Sequence, residues 1–263
     1  MAAKSNVEDQ HSLISSFSVQ ELVKEPMKTI PQQKDSGLEL EKLHSTCRHW
    51  GFFQLVNHGV NSWILEKVKQ EIEVFYKLPL EEKMKFKIRE GDTEGYGNIE
   101  RTGGRHAIFE DDILSPCPQP ELVMGVTPHS DATLITILHQ LNGVDGLHIH
   151  KDGVWFPFSF LPDALVVNVG DILEIFSNGV YRSIEHKVVP NAEKERMSVA
   201  FFVNPKLEAD VGPSPSLMNP HNPPLFKRVS LDRYIKGFFS QMLNGKSYLQ
   251  HMRIDCDGDD NSA

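Results

Sequence analysis

The sequence predicts a mainly β fold with flanking helices, of the sandwich, jelly-roll or barrel kind. Three observations carry that expectation. Short apolar or β-branched segments recur at 122–127, 133–140, 146–150, 154–158, 164–169, 180–189 and 197–203. Between some of them stand Asn142-Gly143, Asp152-Gly153 and Asn178-Gly179, dipeptides that tolerate positive φ and so favour tight hairpins. Helical periodicity is confined to the stretches before and after this region.

Taken in order, residues 1–37 are polar, end in IPQQKDSG and read as a loop. Residues 38–49 place Leu40, Leu43 and Cys47 at helical spacing. The segment from Trp50 to Val56 is aromatic and β-branched, as a buried strand should be, and Asn57-His58-Gly59 closes it as a turn. Ser62 can cap a helix whose Leu65, Val68, Ile72 and Phe75 share one stripe, with Pro79 just past its end. Residues 80–90 read as a short charged helix, and 91–120, rich in Gly and Pro, as a loop or junction. After the β region, Leu231, Tyr234, Ile235, Phe238, Phe239 and Met242 form the apolar stripe of a closing helix. The tail DCDGDDNSA is acidic and expected to be disordered.

Bulk properties exclude several classes. A net charge of −9 over 263 residues argues against a nucleic-acid or anionic-membrane partner. Cys47, Cys117 and Cys256 are scattered and form no CxxC pair, which fits reduced thiols in the cytoplasm better than disulfides or zinc. The N-terminus lacks an apolar signal core and no apolar run reaches spanning length.

A sparse set of polar residues interrupts the β region: His129, Asp131, His186, Arg196 and Ser198. Two imidazoles and one carboxylate are the donor set of a non-haem Fe(II) centre with open positions. In a strand, residues two apart share a face, so His129 and Asp131 project together if the strand runs through them, and His186 can reach them from a later strand lying across the barrel. Arg196 and Ser198 share a face by the same rule, and a guanidinium fork with a hydroxyl suits a carboxylate ligand. An H-x-D pair alone is weak evidence in a chain with 12 histidines; the group gains weight because His186 sits in a predicted strand and Arg196-Met197-Ser198 follows at the right place. Phe201 is read as following on the Ser198 side, where it can stack on an aromatic substrate, although core packing is the commoner role. Phe238 and Phe239 carry the same two readings.

The chain resembles the plant 2-oxoglutarate- and Fe(II)-dependent dioxygenases, in particular the SRG-like, codeine O-demethylase-like and norcoclaurine synthase-like group. The runs that carry the likeness are SVQELVKEP (18–26), LEKLHSTCRHWGFFQLVNHGV (40–60), PCPQPELVMGVTPHSDATLITIL (116–138), LPDALVVNVGDILEIFSNGVYRSIEHKVVPNAEKERMSVAFFVNP (161–205) and PPLFKRVSLDRYIKGFFSQMLNGKSYLQHMRI (223–254). The resemblance implies a double-stranded β-helix (jelly roll) wrapped by helices. It implies His129, Asp131 and His186 as iron ligands, and Arg196 and Ser198 as the site for the 2-oxoglutarate carboxylate. It further implies O2 as co-substrate, ascorbate as a supporting reductant, and a small, aromatic specialised metabolite as substrate for a protein acting as a monomer. The regions expected are an N-terminal helical and strand region (1–90), a junction (91–120), the jelly-roll core (121–205), a C-terminal loop and helix (206–254) and the tail (255–263).

The chain also departs from this family. TIP (29–31) runs straight into QQKDSG where members carry an IPVIDL strand. After Gly95-Tyr96-Gly97, members carry a long helical segment ending in an N-Y-Y-P-x-C strand, of which only Pro116-Cys117-Pro118 remains. The tyrosine of that motif, which normally contacts the oxo acid, is absent. Leu134 and His139 stand where a small and an aliphatic residue are usual. A jelly roll lacking a strand and covering helices is therefore expected, with an open sheet edge and bare apolar faces. An impaired remnant with a binding function, or none, is the alternative reading. A cupin-type metal protein would share the barrel but expects H-x-H, and Asp131 stands in the second place.

Overall fold

The computed structural model describes residues 36–87, 107–206, 208–240 and 245–254, with the backbone alone at residue 36 and at 107–112. Helix α1 (Ser36–His49) forms where the spacing predicts it, yet Leu38, Leu40 and Leu43 are exposed. The N–H groups of Trp50 and Gly51 close it on the Thr46 carbonyl. Gly51 has φ +62°, and a Cβ there would overlap the Arg182 carbonyl oxygen, so only glycine lets the chain pass into β1 (Phe52–Leu55). Asn61 rather than Ser62 caps α2 (Ser62–Lys77), its Oδ1 accepting from Trp63 N–H at 2.9 Å. Leu78, held extended before Pro79, ends it, and α3 (Leu80–Met84) follows.

The junction is not all loop. Residues Ala107–Leu114 form strand β2, the longest partner of the sheet edge. Its register runs from Ala107 opposite Val203 to Leu114 opposite Arg196. This segment, whose sequence carries no clear strand period, lies at the edge of the larger sheet beside 196–203. The segment 29–35, where a strand before the first helix was expected to be lacking, lies outside the described residues, as does the tail.

Strands β3 (Val126–His129), β4 (Ile135–Gln140), β5 (Leu147–Lys151), β6 (Val154–Pro157) and β7 (Leu165–Val169) come next. The strand expected at 122–127 starts later, because Pro120–Leu122 takes a 3-10 turn. Asp152 and Gly153 both have positive φ and form the tight turn of the β5–β6 hairpin. Asn178-Gly179 also has positive φ at both residues, but it ends a helix rather than a hairpin. That helix, α4 (Asp171–Phe176), was not expected; Gly179 N–H caps it on the Glu174 carbonyl. The predicted strand 180–189 shrinks to β8 (His186–Val188), and β9 spans Arg196–Val203.

Two antiparallel sheets result, ordered β1-β7-β4-β9-β2 and β3-β8-β5-β6. Phe52 and Val166 from the first meet Leu147, Ile149 and Val188 from the second, so the sheets close on each other as a jelly roll. On the outer face of the larger sheet, Ile72, Val68 and Tyr76 of α2 cover Met197, Val199, Leu141 and Phe201. A short pair, β10 (Asp210–Val211) with β11 (Val229–Ser230), leads into α5 (Leu231–Phe239) and α6 (Ser247–His251). These pack Leu231, Tyr234, Leu249 and Met252 against Ile172 and Ile175 of α4. Phe238 joins that cluster and Phe239 is exposed. Among the described residues, no helix is long and apolar enough to cross a membrane.

Candidate metal centre

His129 ends β3 and His186 begins β8, and the two stand directly opposite each other in the ladder. Their rings lie 4.3 Å apart. The route to convergence differs from the expected one: β8 is the neighbour of β3 in the same sheet and does not lie across the barrel, and β3 stops at His129. Asp131 sits in the turn just beyond. Its Oδ1 lies 3.4 Å from His129 Nε2 and 3.5 Å from His186 Nε2. One ligand atom from each residue falls within 4.8 Å of the others, and among the described residues this is the one such cluster of three.

Each donor is locked by a second contact. His129 Nδ1 lies 2.7 Å from the Thr127 carbonyl and His186 Nδ1 lies 3.1 Å from the Ile184 carbonyl. A carbonyl only accepts, so both Nδ1 atoms carry the proton and both Nε2 lone pairs face the centre. Asp131 Oδ2 accepts from Thr136 Oγ1 at 2.5 Å and from Asn168 Nδ2 at 2.7 Å, which leaves Oδ1 for the same point. Phe52 packs its ring edge-on to His186 at 5.5 Å and keeps that side apolar.

The backbone around Asp131 is stitched down. Asp171 N–H donates to the Asp131 carbonyl, Ile172 N–H to that of Thr133, and Gly170 N–H to that of Leu134. A Cβ at Gly170 would collide with Thr133, so glycine is what allows the start of α4 to approach this loop. Ser130 Oγ donates to the buried Asp171 carboxylate at 3.0 Å.

Electrostatics follow the geometry. Burial works to raise the Asp131 carboxyl, but the His186 and His129 imidazoles and the Thr136 hydroxyl prevail and hold it well below the usual carboxylate range. Burial pushes His186 down, against the pull of Asp131. The Asp131 shift favours an anionic carboxylate and the His186 shift a neutral imidazole, the forms in which those two residues can bind a divalent metal.

Arg196 is 1% exposed. Its Nη1 donates to Ser198 Oγ at 2.9 Å and its Nη2 to Gln140 Oε1 at 3.0 Å. A Cβ at Gly146 would press on the Arg196 side chain, so glycine makes room for the stem. Gln140 stands four residues, about 13 Å, along β4 from Thr136 on the same face, which aligns the arginine group and the Asp131 lock along one wall of the barrel. Phe201 is not part of it. The period of two puts Ser198 with Ala200 and Phe202, and Phe201 packs with Met197, Val199 and Ile72 under α2 on the opposite face. Sequence reasoning missed Thr136, Gln140 and Asn168; the available signal was their polarity within apolar strands, above all Asn168 in LVVNV.

A family model described as the 2OG-Fe(II) oxygenase superfamily matches residues 105–205, and one described as the non-haem dioxygenase in morphine synthesis N-terminal matches residues 26–112. Oxoglutarate-dependent flavonoid 7-O-demethylase 1 of Ocimum basilicum is 40% identical over 287 residues, covering 82% of this chain and 77% of the relative. That aligned length exceeds the whole chain, so the relative has residues with no counterpart here. Codeine O-demethylase of Papaver somniferum is 38% identical, covering 85% of this chain and 82% of the relative. A crystal structure of JOX2 in complex with 2OG, Fe and JA superposes with a TM-score of 0.74 at 24% identity, covering 90% of this chain and 98% of that one, and shares its fold.

Proposed function

This chain belongs to the 2OG-Fe(II) oxygenase superfamily, and we propose from that premise that it oxidises a small, aromatic plant specialised metabolite by hydroxylation, desaturation or O-demethylation. His129, Asp131 and His186 are its iron ligands; Arg196 and Ser198, with Gln140, hold the carboxylate of 2-oxoglutarate. The observation that carries the reading is the convergence of two unprotonated Nε2 atoms and one carboxylate oxygen whose other contacts are already taken. The substrate class is supported by the flavonoid and codeine demethylases among the relatives.

Fe(II), held there, would activate O2, the oxidant, so that one oxygen atom would end in succinate as CO2 leaves the 2-oxo acid and the other would be available to a substrate C–H bond. The protein's own groups bind and orient. The imidazoles present fixed lone pairs, Asp131 contributes one negative charge, and Thr136 and Asn168 stop its carboxylate from turning. Arg196 offers its fork where the co-substrate's far carboxylate would arrive, and Phe52 shields His186 from water. When the C–H oxidised belongs to a methoxy group, the hydroxymethyl ether releases formaldehyde and leaves a free hydroxyl. We place this activity in the cytoplasm, in a monomer whose partner is a small molecule; the acidic balance of −9 disfavours an anionic polymer or membrane. The exposed Leu38, Leu40 and Leu43 of α1 are what the impaired-remnant alternative would draw on; the converged donors support the active reading over it.

The test is O2-dependent succinate release from 2-oxoglutarate with Fe(II). The wild-type chain should release it and His186→Ala should not. Equal release by both sinks the ligand assignment. A panel of methoxylated aromatics then reads formaldehyde; no turnover of any aromatic would overturn the substrate class alone.

A further inference from the structure

We infer that the adjacent residues Gly245 and Lys246 clamp the metal centre from outside, with Lys246 as the positioning residue; this rests on the metal-centre reading above. Gly245 N–H donates to the Pro128 carbonyl at 2.9 Å, and Ser130 N–H donates to the Gly245 carbonyl at 3.2 Å. The segment is thereby strapped to both sides of His129 as a parallel bridge. The next residue turns to the other histidine. Lys246 Nζ donates to the Ser183 carbonyl and to Glu174 Oε2, each at 2.8 Å. Ser183 stands three residues before His186, and Ile184 between them supplies the carbonyl that locks the His186 ring. Two adjacent residues therefore hold the backbone of both histidine-bearing segments.

Glu174 is the anchor of this clamp. It is 0% exposed on α4 and accepts from Ser183 N–H at 2.8 Å and from Arg253 Nη2 at 3.4 Å besides Lys246. A buried carboxylate persists only with such partners, so the C-terminal cations and α4 are bound to each other. Gly245 has φ +54°, and a Cβ there would sit 2.6 Å from Glu185 Oε1. The positive φ favours glycine here, and any larger residue would also push the Glu185 side chain aside. Lys246 itself makes no contact with the ligand atoms, so its effect passes through Ser183 and the approach to His186.

Cobalt(II) added to metal-free protein, followed by its visible d–d bands, tests this without turnover. Lys246→Met should weaken Co(II) binding by about tenfold or more, the usual effect of losing an outer support of a metal ligand, and alter the band shape. Lys246→Arg should restore most of the affinity. Arg253→Met removes the other cation of Glu174 without touching Ser183; it should lower the melting temperature and leave Co(II) affinity as in wild type. Equal weakening by Lys246→Met and Arg253→Met, or wild-type affinity in folded Lys246→Met, would overturn the clamp. If Lys246→Met does not fold, Gly245→Ala decides: weakened binding supports the clamp and wild-type binding overturns it. Wild-type protein that binds no Co(II) would sink the metal centre itself, a different result from a variant that differs or fails to differ from a binding wild type.

Discussion

Asn168 donates its side-chain N–H to Oδ2 of Asp131 across 2.7 Å, from the middle of a strand otherwise made of leucine and valine. It is 3% exposed, and a buried amide in that setting is stable because the carboxylate accepts from it. Replacing it by leucine keeps the branched shape, removes the donor and frees the carboxylate to turn. Asn168→Leu should weaken divalent metal binding about tenfold, measured by titration of the metal-free protein. Unchanged affinity would mean that Thr136 alone fixes Asp131.

Arg196 and Gln140 form one unit. Arg196→Lys keeps the charge and loses the fork, so KM for 2-oxoglutarate should rise about tenfold or more, as expected for a lost charge-assisted hydrogen bond. Gln140→Leu should raise it less, because the arginine keeps its bond to Ser198. Succinate release against 2-oxoglutarate concentration reads both; a change in kcat alone would place the pair outside the co-substrate site.

Phe201→Ala should cost stability on the order of 2 kcal/mol, less than the roughly 3–5 kcal/mol of a fully buried Phe→Ala change because this ring is half-buried. KM for 2-oxoglutarate should stay as in wild type, because the side chain lies under α2. Urea melts and steady-state kinetics together check this. A raised KM at wild-type stability would return Phe201 to the cavity side.

His139 faces α2 from β4, and burial, aided by His58 and Lys69, lowers its pKa against the opposing pull of Glu66 and Asp163. Its buried Nδ1 has no hydrogen-bond partner. A histidine whose folded pKa is lowered binds fewer protons folded than unfolded, so its contribution declines as pH falls below about 6.5, the unfolded value. His139→Leu should therefore raise the melting temperature, by more at pH 5.5 than at pH 8. An equal rise at both values would show that packing alone accounts for the gain.

Much of the centre was legible from spacing. His129, Asp131 and His186 could be singled out because polar ligand types stand out in apolar strands, and Arg196 with Ser198 by the period of two. Asp152-Gly153 marked its hairpin because the turn itself dictates the residues. What escaped depends on contacts distant in sequence. β2 carries no clear strand period and is set by pairing with β9. α4 was hidden because Asp171 and Glu174, both polar, are buried at its core face. Asn178-Gly179 carries the same local chemistry as a hairpin turn but follows a helix. The face of Phe201 was a counting matter, since its parity differs from that of Ser198.

The direct opposition of His129 and His186 in the β3–β8 ladder has a bearing on how the molecule matures. A slip of that ladder by one residue would send one imidazole to the far side of the sheet. A ferrous ion would then find two of its three donors. Iron loading therefore rewards the correctly zipped chain over its misaligned competitors, and the ion acts as an inspector of assembly before it serves as a reagent.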